Sequence, residues 1–161
     1  MTSEPEPYRA AFFFDCGSGY CLWSADDRTR DRFDYPIEHD ELPLSSAVIA
    51  KLTELCDRVD RSLNWDYPPD PGPWRQDECD RFNADVADVI ARLRAELGAA
   101  WEIEDEFVPL AEDPDLDRYL ADPKGFRRQA ANQGWKWRIP GRLRRSRNGR
   151  LGRSGTSTDK E

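Results

Sequence analysis

Asp15, Cys16 and His39 are the residue types from which a small catalytic unit could be assembled. Phe14-Asp15-Cys16-Gly17-Ser18-Gly19 ends an apolar run, and its two glycines supply the positive φ angles of a tight turn. A thiol on that turn acts as a nucleophile only with a base in reach. His39 is the sole histidine, and it lies in Glu38-His39-Asp40-Glu41, whose composition predicts a solvated acidic loop. Nothing in the spacing pairs it with Cys16.

The Asp-x-Gly-Ser-Gly turn resembles the first phosphate loop of the actin-like ATPase and sugar-kinase superfamily. That resemblance implies backbone amides around a phosphate and an aspartate that helps place a metal and the attacking group. It covers about six residues, and the chain has neither the length for two large lobes nor a second Asp-x-Gly loop. A hairpin whose glycines serve only the turn is the simpler expectation.

The cysteines give no metal-binding spacing. Cys16 and Cys21 stand five apart, Cys56 and Cys79 farther, and there is no Cys-x-x-Cys pair. Cys56 and Cys79 fall on apolar helix faces and read as core. Cys16 and Cys21 could pair across the hairpin under oxidation. Asp113, Asp115 and Asp117 imitate the start of a calcium loop, but Arg118 stands where such a loop needs Gly and Lys124 where it needs Glu. No metal and no cofactor is expected, and no catalytic residue is assigned.

Three other features point to binding. Glu102, Glu104 and Glu106 alternate along a strand, so they share one face. That face is either solvated or a negative patch for a basic partner. Trp65, Tyr67 and Trp74 sit in a loop stiffened by Pro68, Pro69, Pro71 and Pro73. Aromatics held this way lose little entropy on binding, although they would equally cap the end of a helical layer. Arg127, Arg128, Lys136, Arg138, Arg142, Arg144, Arg145 and Arg147 form a basic arm interleaved with Trp135 and Trp137. Phosphate contacts from Arg and base stacking on Trp are the physics of nonspecific single-strand binding.

Charge divides the chain in the same way. The formal net charge is −8. Residues 1–123 hold 30 acidic and 12 basic side chains, net −18, whereas residues 124–161 hold 2 acidic and 12 basic, net +10. An acidic body repels nucleic acid and anionic membranes, and a basic arm attracts them or folds back on the body. The first residues, Met-Thr-Ser-Glu-Pro-Glu-Pro, lack a basic and apolar leader. No apolar run approaches the roughly 20 residues that span a bilayer. A cytoplasmic location with reduced cysteines is the expectation.

These residues need elements to hold them. Residues 8–14 read as a buried strand and Tyr20 to Trp23 as its hairpin partner. Asp26 to Arg32 reads as a charged surface loop and Phe33 to Leu44 as extended. Ser45 or Ser46 caps a first helix with Val48, Leu52, Leu55, Val59 and Leu63 on one face. Pro73 opens a second, striped by Cys79, Phe82, Val86, Val89, Ile90, Leu93 and Leu97 and stopped at Gly98. Trp101 to Glu104 alternates as a strand, and residues 113–121 suit one short helix. The order β-β-α-α-β predicts an α+β domain over 1–123: a small, mostly antiparallel three-stranded sheet with two helices on one face. Residues 124–161 are too poor in aliphatic side chains to offset their ordering entropy and are expected to be a disordered tail.

Leu22-Trp23, Leu42-Pro43-Leu44-Ser45, Leu63-Asn64-Trp65-Asp66-Tyr67-Pro68-Pro69 and Leu93-Arg94-Ala95-Glu96-Leu97-Gly98 together resemble a group of short uncharacterised α+β proteins from high-GC actinobacteria, over about residues 10–107. The resemblance implies a shape and a source but no activity. The leading expectation is a non-enzymatic interaction module whose acidic surface meets a basic protein, by analogy antitoxin-like or immunity-like. The alternatives are a nucleic-acid-associated protein acting through its tail, or a small enzyme centred on Asp15 and Cys16.

Overall fold

The structure is a computed structural model that describes residues 3–133. In chain order the elements are β1 (Tyr8–Phe12), β2 (Leu22–Ser24), α1 (Asp27–Phe33), a 3-10 turn at His39–Glu41, α2 (Ser46–Asp60), α3 (Gln76–Leu97), β3 (Trp101–Asp105), α4 (Leu116–Ala121) and α5 (Pro123–Asn132). Trp135, Lys136, Trp137, Arg138, Arg142, Arg144, Arg145 and Arg147 lie outside the described residues.

The α+β architecture follows from two hydrophobic periods. β1 is central in a sheet of order β2-β1-β3. Its Ala10 and Phe12 turn to one face with Phe14, and Ala11 and Phe13 to the other, and all five are buried. A strand covered on both sides reads as a continuous apolar run. On α2, Val48, Leu52, Leu55 and Val59 recur at helical spacing, and on α3 the stripe from Cys79 to Leu97 does the same. Both helices pack these faces on Ala10, Phe12 and Ile103.

The sheet is mixed. β1 pairs β2 antiparallel, with Ala11 opposite Trp23, and β3 parallel, with Tyr8 opposite Trp101 and Phe12 opposite Asp105. The three helices α1, α2 and α3 lie between the hairpin and the last strand and return the chain to the start of β1, so β3 enters in the same direction as β1. A parallel partner needs such a crossover.

Ser45 caps α2, its Oγ accepting from the Val48 N–H at 3.3 Å. Its own N–H and hydroxyl both donate to the Glu96 carboxylate at 2.7 Å, tying the start of α2 to the end of α3. Midway, Arg58 donates to Asp85 Oδ2 at 2.6 Å, with Lys51 at 3.7 Å. The hydrogen bond from Arg58 is the main reason the Asp85 carboxyl sits below its usual range. The Asp85 contribution is therefore present above the ordinary aspartate pKa and lost as pH falls through the lowered folded value. Asp85→Asn should cost under about 1 kcal/mol at neutral pH, because the pair is partly solvated. The difference from the parent should vanish in acid, as read by urea unfolding across pH.

Three local expectations change. The stretch expected as a loop over Asp26 to Arg32 instead forms helix Asp27–Phe33: the Asp26 side chain caps α1 by accepting from the Thr29 N–H at 2.8 Å, and only Thr29 and Phe33 turn inward. Two inward residues are too few to register as an apolar stripe. α3 starts at Gln76, not Pro73, because Trp74 must turn in to reach Phe82 at 5.3 Å. Residues 124–132, expected to begin the unstructured arm, are helical. Pro123 opens α5, Asp122 Oδ1 accepts from the Gly125 N–H at 3.0 Å, and Phe126 is buried edge-on to Tyr119.

Candidate functional site

The Asp15–Gly19 turn holds no free cradle. Gly17 and Gly19 take φ of 85° and 78°, as the turn requires. The Gly17 N–H donates to Asp60 Oδ1 at 2.9 Å, so a carboxylate from the end of α2 already occupies the direction a phosphate would take. Ser18 Oγ donates to the Asp15 carbonyl at 2.6 Å and accepts from the Tyr20 N–H at 3.1 Å. Burial, then the charges of Asp60 and Asp15, push the Cys16 thiol up to about 11, the opposite of nucleophile activation. This geometry gives an enzyme centred on Asp15 and Cys16 no support.

His39 is not in a wet loop. It is 9% exposed, and its Nε2 lies 3.5 Å from the Sγ of Cys21, whereas the Cys16 thiol faces the Val59 carbonyl at 4.0 Å. Charged neighbours in sequence suggested solvent, but the 3-10 turn directs Glu38 and Asp40 outward and the ring inward. Burial lowers the His39 pKa below its ordinary value, against the pull of Glu38 and Asp40. Cys56 of α2 completes a buried trio with Cys21 and His39, whose ligand atoms all lie within 4.8 Å of one another. The spacing hid this group, since three elements contribute one residue each. Farther along, Asp117 of the calcium-like stretch pairs with Arg75 at 2.8 Å.

The residues expected to bind a partner separate into two places. Trp74 is 7% exposed and belongs to the core against Phe82, so it cannot anchor a partner. Trp65 is 56% exposed and Tyr67 39%, in the loop between α2 and α3. The Trp65 indole N–H donates to the Asp60 carbonyl at 2.6 Å, and the Arg127 guanidinium lies 5.5 Å from the centre of the Tyr67 ring. Arg127 also donates to Asp70 at 2.7 Å, so it is committed to the fold, while Arg128 is exposed.

Glu102 and Glu104 project from β3 on the sheet face turned away from α2 and α3, opposite Arg9 and Ala11. Glu102 pairs with Arg9 at 3.2 Å. Glu106 follows just beyond the strand, its N–H donating to the Phe12 carbonyl at 3.0 Å. The same face carries a group the sequence reading did not single out. Phe13 and Trp23 stack with ring centres 5.0 Å apart and planes within 9°, and the indole N–H donates to the Phe13 carbonyl at 3.0 Å. Tyr20 and Tyr35 flank Trp23 at 6.1 and 5.1 Å. The Tyr20 hydroxyl donates to Glu38 at 2.6 Å, which raises its pKa. A continuous Phe12-Phe13-Phe14 run concealed which ring faces outward. The result is a fixed aromatic cluster beside a row of acids, on a sheet face that neither long helix covers.

Among the described residues no helix is long and apolar enough to cross a membrane. No curated protein matches the chain. The model of the Serratia CdiI immunity protein-like family matches residues 13–105, from the outward Phe13 to the last residue of β3, and with more than half its length matched the chain belongs to that family.

Proposed function

We propose that this chain is an immunity protein that neutralises a toxin by binding it through the outer face of the sheet, and that the toxin presents a basic surface. The observation that supports this most is that Tyr20 and the exposed Tyr35, held over the buried Phe13–Trp23 stack, lie beside Glu38, Glu102, Glu104 and Glu106. Rings locked by stacking bring little further ordering cost to an interface, and a carboxylate row selects a cationic partner. The net charge of −18 over residues 1–123 would steer such a partner in. Trp65 and Tyr67 belong to the loop between α2 and α3, outside the strands that build this face.

Co-expression tests the reading: the chain should restore growth to cells making its partner toxin. With that pair, combining Glu102→Lys, Glu104→Lys and Glu106→Lys should lower the association rate by about tenfold or more at low salt and flatten its salt dependence. Trp65→Ala should leave both rate constants unchanged. An unaltered association rate in the triple variant would remove the outer face from the interaction. Binding that disappears on nuclease treatment would favour the basic arm and nucleic acid instead.

A further inference from the structure

We propose that Cys21, His39 and Cys56 form a buried binding site for a single Zn2+ ion. The three residues come from the position just before β2, the 3-10 turn and the inner face of α2, and all are buried. The inference rests on their mutual geometry and would stand whatever partner the outer face takes.

The distances suit zinc. With Zn–S near ~2.3 Å and Zn–N near ~2.05 Å, a tetrahedral ion separates sulfur from nitrogen by about 3.6 Å. Cys21 Sγ and His39 Nε2 are 3.5 Å apart. The donor set suits it too, since two sulfurs and one imidazole select zinc over the oxygen-seeking Mg2+ and Ca2+. Charge is the third argument. Two thiolates and a neutral imidazole around a divalent ion sum to zero, so the core receives no uncompensated charge. A histidine directed into an apolar core otherwise gains little from two sulfurs, which are weak hydrogen-bond partners.

A route exists. A hollow in the surface, lined by Ser18, Tyr20, Glu38, Asp40 and Thr53, reaches His39. Its two carboxylates would attract a cation towards the ring. Among the described residues these three are the group able to hold an ion, which leaves one coordination position for water. The site would pin Tyr20-Cys21 and Glu38-His39 to α2, and so fix the Tyr20–Glu38 pair on the outer face.

The test uses the full chain, reduced and freed of metal with a chelator, then titrated with Co2+. Expected are one equivalent bound, thiolate-to-cobalt charge transfer in the near ultraviolet, visible bands of tetrahedral intensity, and displacement of Co2+ by Zn2+. Cys56→Ala and His39→Ala should each weaken binding by about a hundredfold or more, since even an outer-shell change costs up to that much. Cys16→Ser should leave it unchanged. If the ligand variants fold poorly, alkylation of the parent decides: Zn2+ should protect Cys21 and Cys56 but not Cys16. Absence of charge transfer, equal binding by Cys56→Ala, or a Cys21–Cys56 disulfide in place of metal would each overturn the proposal.

Discussion

Phe82→Ala should cost about 3–5 kcal/mol of stability, because it removes a fully buried ring and leaves a cavity that its neighbours cannot refill. Phe82 lies on the inner face of α3, with Phe14 at 5.5 Å, Trp74 at 5.3 Å and Phe107 at 6.0 Å. These rings come from the end of β1, the loop before α3 and the segment after β3. No local shift can bring all of them inward together, so most of the void persists. A second loss comes from the Arg58 guanidinium, 5.4 Å from the Phe82 ring centre, which no longer rests on an aromatic face. Chemical denaturation at fixed pH measures the difference. A cost below about 1 kcal/mol would mean that the site collapses freely, as surface-like positions do. Phe82→Leu, which keeps much of the volume, should recover a large part of the loss.

How legible this molecule was from its sequence depends on where the signal lies. α2 and α3 were readable because Val48 to Val59 and Cys79 to Leu97 repeat at helical spacing over several turns. The hairpin and β3 were readable from an apolar run, a glycine turn and strict alternation at Trp101-Glu102-Ile103-Glu104. α1 was not, since capping by Asp26 rather than an apolar stripe specifies it. The direction of β3 was not, because strand pairing depends on the path of the intervening helices and leaves no mark in the strand itself.

The sites follow the same rule. The alternation of Glu102 and Glu104 showed that they share a face, and the structure adds that the face is the one away from the helices. Trp74 was misread as a candidate anchor because a proline loop conceals which aromatic turns in. Cys21, His39 and Cys56 could not be grouped, since each is an ordinary residue of its own element until the fold places them side by side.

Arg127→Ala should destabilise the protein more than loss of an unpaired surface arginine would, and Asp70→Asn in the same chain should restore part of the loss. Asp70 is 1% exposed, in the proline loop between α2 and α3. Its Oδ2 accepts from Arg127 Nε at 2.7 Å, while its Oδ1 has no hydrogen-bond partner among the described residues. A buried carboxylate half satisfied by one guanidinium depends on that guanidinium, because removing the partner leaves its charge uncompensated away from water. Neutralising the acid as well removes that penalty, so the double variant should melt above the Arg127→Ala single variant. This ordering separates a charge effect from loss of packing, which the second substitution would not repair. The pair also joins the body to α5, whose Phe126 is buried against Tyr119. A chain ending at residue 123 should therefore lose on the order of 2 kcal/mol from the exposed contacts of Phe126 alone. A chain ending at residue 133 keeps both the ring and the ion pair and should melt like the full chain. Equal melting of the two truncated chains would show that α5 contributes nothing to the fold, and a double variant no better than Arg127→Ala would show that the charge of Asp70 is not what Arg127 answers.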